Sequence, residues 1–221
     1  MSTERNMSGG WIEERVGLKK ALDWFLNRRV PAGVGWWYTL GSATGVVFLL
    51  LLFTGAFLMF NYSPSPDHAY ESIQYIENEV LFGNIIRGIH HWSSSAMVVL
   101  IGLHALRTFF MAAYKYPREL TWIIGVLLFT LVMGASFTGY LLPWDQKAYW
   151  ATNVGTSIAS QVPLIGHWIQ EVLIGGTTIG AVTLTRFFTL HVAIIAPLTA
   201  ILISIHVFLV VKLGISAPPK K

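Results

Sequence analysis

The sequence predicts an all-α membrane protein: a four-transmembrane-helix bundle with an N-terminal amphipathic surface helix and a partly helical connection between the third and fourth spans. Three observations predict it. Of 221 residues, 54% are hydrophobic and 12% charged, with mean hydropathy +0.57, far more apolar than a soluble domain. Four apolar runs are each long enough to cross a hydrocarbon core of ~30 Å. The Lys and Arg residues fall mostly on one side of those runs.

Residues 1–35 form the expected surface segment. From Trp11 to Val30, charges alternate with Trp11, Ile12, Val16, Leu18, Leu22 and Phe25, the pattern of a helix lying in the membrane interface. Pro31 and Gly33 then turn the chain inward. The first thirty residues carry no cleavable signal pattern, so the N-terminus is expected to stay in the cytoplasm. The spans are expected at residues 36–60, 89–112, 120–142 and 187–212. The stretch from Pro143 to Thr185 is too long for a structureless link in a compact bundle and is expected to be partly helical and functional. Residues 1–221 read as a single domain without tandem repeats.

Twelve of the fifteen basic residues lie on one side: Arg5, Arg15, Lys19, Lys20, Arg28, Arg29, Arg107, Lys115, Arg118, Lys212, Lys220 and Lys221. Arg87, Lys147 and Arg186 lie on the other. The positive-inside rule therefore places both termini in the cytoplasm. Because the basic residues scatter around membrane segments and form no stripe, nucleic-acid binding is excluded. With no cysteine in the chain, disulfides, thiolate-held clusters and thioether cofactor links are excluded too.

Four histidines carry the chemistry. His90 and His104 share the second span, fourteen residues apart; His191 and His206 share the fourth, fifteen apart. At ~3.6 residues per turn, fourteen residues fall roughly 40° short of four turns and fifteen overshoot by roughly 60°, so each pair shares a face. A rise of ~1.5 Å per residue separates the members by roughly 21 Å, one towards each membrane surface. Imidazoles at that depth need partners, and two helices offering matched pairs suit two stacked haems, with His90 and His191 at the outer level and His104 and His206 at the inner. His91 is rotated roughly 140° from the common face and is not a ligand candidate. His68 and His167 fall in outer connections and read as solvent or interfacial residues.

Gly41 and Gly55 in the first span, and Gly125 and Gly139 in the third, repeat the fourteen-residue step. Glycine lets a bulky flat ligand approach the backbone. Arg87 stands three residues before His90 and Arg107 three after His104, each one turn nearer water, where a guanidinium either pairs with a haem propionate, the reading their mirror-like placement favours, or anchors the membrane end by snorkelling. Arg186, five before His191, is a third such candidate.

The stretches IIRGIHHWSSSAMVV, YKYPRELTWIIGV, SFTGYLLPWDQKAYWA, TLTRFFTLH and LGISAPP, spread almost end to end, closely resemble the four-helix b6 branch of the cytochrome b family. The resemblance implies two non-covalent b-type haems, of low potential at His90 and His191 and of high potential at His104 and His206. It implies that Tyr140, Pro143, Trp144, Asp145 and Gln146 border a quinol-oxidation pocket. It further implies a bifurcated quinol:cytochrome c (or plastocyanin-type) oxidoreductase, one electron crossing to an inner quinone. The implied partners are a Rieske iron–sulfur protein, a cytochrome c or similar acceptor, a subunit IV-like second half of cytochrome b and membrane lipid, in a dimeric complex. This chain alone is not expected to turn over.

Two positions depart from the branch. Thr39 stands where a cysteine usually tethers a third haem, which excludes that covalent link here. Val211, followed by Lys212, stands where an arginine is usual, so the inner quinone site is expected to be differently lined. Two readings compete: a di-haem quinone-reactive membrane anchor of a dehydrogenase or hydrogenase, which would lack the Pro143–Gln146 stretch, and a transporter or structural bundle using the histidines for packing, which would be colourless.

Overall fold

The computed structural model describes residues 10–27 and 30–217. Arg5, Arg28, Arg29, Lys220 and Lys221 of the charge count lie outside the described residues, as does the final Pro-Pro of LGISAPP. Among the described residues there are helices and no strands.

The surface segment is two helices rather than one. Helix α1 (Trp11–Val16) ends and α2 (Leu18–Leu26) begins at Gly17, whose φ of 62° is a left-handed conformation suited to glycine. Glu13 folds back across this corner, its carboxylate accepting from the backbone N–H groups of Lys19 (2.6 Å) and Lys20 (3.3 Å). That satisfies donors which the start of a helix leaves without intrahelical partners.

Among the described residues, four helices are long and apolar enough to cross a membrane: Trp36–Met59, Gly83–Phe110, Glu119–Leu141 and Ala181–Leu213. The first is a single 3-10 turn (Trp36–Thr39) leading into α3 (Leu40–Met59). A short helix, α4 (Ala69–Asn78), precedes the second span, α5 (Gly83–Phe110), and the third is α6 (Glu119–Leu141). Helices α7 (Gln146–Ser160) and α8 (Gly166–Ile174) make the following connection partly helical. The fourth span joins α9 (Ala181–Phe188), a π-helical stretch (Thr189–Ile195) and α10 (Ala196–Leu213).

The second and fourth spans each start six residues before the apolar runs that announce them. Asn84, Arg87 and Arg186 interrupt the hydropathy there, yet the helical backbone continues through them. Polar side chains at a helix end reach the interface while their backbone groups stay paired within the helix.

Helix α3 packs along α5, and α6 along the fourth span, while α5 and α6 join the two pairs. The shared core is small: Met97, Ile101 and Val132 are buried, packed by Val47, Phe48, Leu51, Val98 and Met133. Met97 and Ile101 lie between His90 and His104 in sequence, so this apolar plug sits between the two histidine levels. Large side chains such as Phe53, Val99, Leu127 and Ile201 face outward, as a lipid-solvated bundle requires.

Candidate cofactor-binding site

Each histidine of α5 faces one on the fourth span. The ring centres of His90 and His191 are 6.4 Å apart, and those of His104 and His206 are 6.5 Å apart. Two imidazoles placed on opposite sides of a metal, each with one nitrogen at about 2 Å from it, have ring centres roughly 6 Å apart. Both pairs match that separation, at two levels of the same bundle.

The glycines back the rings one for one. A Cβ added to Gly55 would lie 3.2 Å from His90 Cε1, and one on Gly41 3.0 Å from His104 Cε1, so α3 cradles the rings of α5. On the other side α6 cradles the fourth span: Gly139 would meet His191 Cε1 at 2.7 Å, and Gly125 would meet His206 Cε1 at 3.4 Å. These close approaches set each imidazole against backbone and aim it into the bundle.

Two hydroxyls complete the His90 and His191 level. Thr54 Oγ1 is 2.9 Å from His90 Nδ1, and Thr138 Oγ1 is 3.3 Å from His191 Nδ1, whose N–H also reaches the Ala135 carbonyl at 2.9 Å. Both threonines are buried, 5% exposed. Sequence reasoning missed them, because threonine is an ordinary residue in a membrane helix; the signal was their place directly before Gly55 and Gly139.

The remaining candidates divide. Arg107 stacks its guanidinium 3.6 Å over the Tyr38 ring, and its Nε and one terminal nitrogen are buried with no hydrogen-bond partner among the described residues. The Tyr38 hydroxyl is buried and unpartnered as well. Such donors, one turn beyond His104, suit an anionic group on the ligand. Arg87 is ion-paired with Glu77 of α4, leaving most of its five N–H donors for another acceptor. Arg186 instead donates to the Val172 carbonyl at 2.6 Å, pinning α9 to α8. That backbone bond competes directly with any role on a propionate.

Tyr140 lines one groove with Met133, Ser136, Phe137, Ala151 and Thr152. Trp144, Asp145 and Gln146 line a separate depression with Tyr70 and Lys147, and Pro143 lines neither. Asp145 caps α7 by accepting from the Ala148 N–H at 2.7 Å, and Gln146 accepts from the Trp150 indole at 3.0 Å. Tyr62, beyond the end of α3, donates to the Leu142 carbonyl at 2.7 Å and stacks on Phe188. Burial pushes its phenol pKa up. His91 is exposed beside Trp92, while His68 lies 3.5 Å from Glu71 and His167 is exposed.

A family model described as cytochrome b/b6/petB matches residues 25–214. The chain is 43% identical over 216 residues to the menaquinol:cytochrome c reductase cytochrome b subunit of Geobacillus thermodenitrificans, covering 94% of this chain and 96% of that one. The subunit of the same name from Bacillus subtilis (strain 168) is equally similar. Cytochrome b6 of Acaryochloris marina is 42% identical over 208 residues, covering 94% and 97%. Among solved structures, a chain of a hyperthermophilic respiratory Complex III superposes with a TM-score of 0.87 at 32% identity, over 94% of this chain. This chain spans 56% of that longer one.

Proposed function

The chain belongs to the cytochrome b/b6 family, whose members bind haem, and from that membership and the two facing histidine pairs we propose that it is the di-haem subunit of a quinol:cytochrome c-type oxidoreductase. His90 and His191 hold one haem towards the outer surface; His104 and His206 hold the other towards the cytoplasm. The observation that carries this reading is the pair of near-equal ring separations, 6.4 and 6.5 Å, each backed by glycines. When bound, each haem would supply a one-electron couple, held by the His90 and His191 imidazoles at one level and by those of His104 and His206 at the other.

The residues act around that chemistry. Gly41, Gly55, Gly125 and Gly139 set the imidazoles' depth, and the plug of Met97, Ile101 and Val132 keeps water from between the levels. Arg107, backed by Tyr38, takes a propionate; Arg87 takes another while held by Glu77. Tyr140 and the Pro143–Gln146 turn border the pocket where quinol is oxidised and releases its protons outward. One electron leaves for a Rieske protein and then a cytochrome c or similar carrier, and the other crosses the chain to a quinone at the inner end. A second-half cytochrome b subunit completes the pocket, in a dimer within a bacterial cytoplasmic membrane. Both termini are cytoplasmic, and a third haem has no cysteine to join.

The test is the isolated complex. Two non-covalent b-type haems per chain, co-purifying with a Rieske protein and a second-half subunit, are expected. A flavin or nickel subunit in their place would favour the dehydrogenase-anchor reading, and a colourless preparation would overturn both.

A further inference from the structure

We propose that Thr54 and Thr138 are positioning residues that fix the ring tautomers of His90 and His191 and strengthen their donation to the outer haem, lowering its reduction potential. This rests on the di-haem reading above.

A hydroxyl has one proton to give. Thr54 Oγ1 directs its proton at the α3 backbone, with the Leu50 carbonyl at 2.6 Å. Towards His90 Nδ1, at 2.9 Å, the oxygen therefore accepts, so Nδ1 carries the hydrogen and Nε2 presents its lone pair. Thr138 repeats the arrangement. Its proton goes to the Gly134 carbonyl at 2.8 Å, and it shares the His191 Nδ1–H with the Ala135 carbonyl, which can only accept.

Both threonines stand immediately before the glycines that admit the rings, Thr54-Gly55 and Thr138-Gly139. The other level lacks this pairing: Leu40 precedes Gly41 and Ile124 precedes Gly125. Neither His104 nor His206 hydrogen-bonds a side chain through its ring among the described residues, and His206 Nδ1 approaches the Thr121 backbone without hydrogen-bond geometry. The two levels thus differ in what holds the outer edge of each imidazole.

An acceptor on the distal N–H fixes the tautomer and raises the basicity of a metal-bound imidazole. A more basic ligand favours ferric over ferrous iron, and at 5% exposure no water competes for the bond.

The experiment compares Thr54→Val, Thr138→Val and Thr54→Ser in the purified complex, reading both haem midpoint potentials by redox titration and the ferric haems by EPR. Thr54→Val is expected to raise the outer haem's potential and shift its EPR signal while leaving the inner haem unmoved. Thr138→Val shifts it in the same direction, since the Leu51 backbone stands beside His90 as Ala135 does beside His191 and each Val variant removes only the hydroxyl, and Thr54→Ser stays at the wild-type value. Unchanged potentials in haem-replete Thr54→Val, equal shifts of both haems, or a Ser variant behaving like Val would overturn the proposal. Should Thr54→Val fail to assemble, Thr138→Val decides on the same criteria. A wild-type complex without two haems would instead defeat the reading on which this one rests.

Discussion

A Cβ placed on Gly139 would lie 2.7 Å from Cε1 of His191, closer than two carbon atoms pack. A free imidazole can swing away from such a methyl group, whereas one fixed on a metal cannot. Gly139→Ala is therefore expected to leave the bundle folded and to lose most of the haem at the His191 level, about half the chain's total. Overpacking of this kind costs about 1–3 kcal/mol. The matching substitutions should be graded, Gly41 next, then Gly55, then Gly125, following separations of 3.0, 3.2 and 3.4 Å. Pyridine haemochrome per polypeptide in isolated membranes measures the series, and equal haem in all four would sink the cradle argument.

The two levels should also come apart in function. His206→Leu removes one imidazole of the 6.5 Å pair and leaves the 6.4 Å pair untouched. One of the two haems is expected to be lost, with quinol still able to reduce the other while transfer to the inner quinone falls to background. Stopped-flow spectra of b-band reduction with and without an inner-site electron acceptor read this directly. Unchanged transmembrane electron flow would show the route to be wrongly assigned.

What the sequence disclosed follows from how regular each helix is. The period that puts His90 and His104 on one face was legible because α5 is an unbroken α-helix from Gly83 to Phe110. The same arithmetic left His191 and His206 overshooting by roughly 60°, since it assumed one helical pitch throughout. The corner at Gly17 was hidden because amphipathic spacing runs straight through it. Arg186 reads from the sequence as a third propionate candidate, and only the fold shows the Val172 carbonyl within its reach. The Thr54 and Thr138 contacts depend on which hydroxyl meets which ring across helices, information that periodicity does not hold.

Tyr62 links the end of α3 to the turn that opens the α6–α7 connection. Its phenol satisfies the Leu142 carbonyl, so Tyr62→Phe strands that acceptor at a cost of about 1–3 kcal/mol and loosens the residue preceding Pro143. Quinol oxidation is expected to slow with haem content unchanged. Burial holds the folded phenol pKa above its ordinary value of 10.0, so the neutral form is the one the fold keeps. The associated stability is complete below that value and declines as pH rises past it, because the unfolded chain ionises first. Thermal melts above pH ~10 should therefore show wild type losing more stability than Tyr62→Phe. Parallel losses would mean that the phenol is not protected.

The fifteen-residue step on the fourth span is reconciled with the fourteen-residue step on α5 by the π-helical stretch Thr189–Ile195. There the Ala196 N–H bonds to the His191 carbonyl five residues back, widening the turn so that one extra residue is absorbed. Pro197 supplies a cause: having no N–H, it cannot bond the Ala193 carbonyl, and an ordinary α-turn through that point loses a hydrogen bond. Pro197→Ala restores the donor and is expected to let the turn tighten, rotating His191 away from His90 and Gly139. The outer haem should be lost and the inner one kept. Deleting Val192 in the same background leaves a fourteen-residue step on a plain α-helix, and should bring the outer haem back. Haem content and redox titration of the single and double variants test the pair together. If Pro197→Ala alone binds both haems at unchanged potentials, packing against α6 holds the widened turn without the proline, and the extra residue is accommodated by the bundle rather than by the local chain.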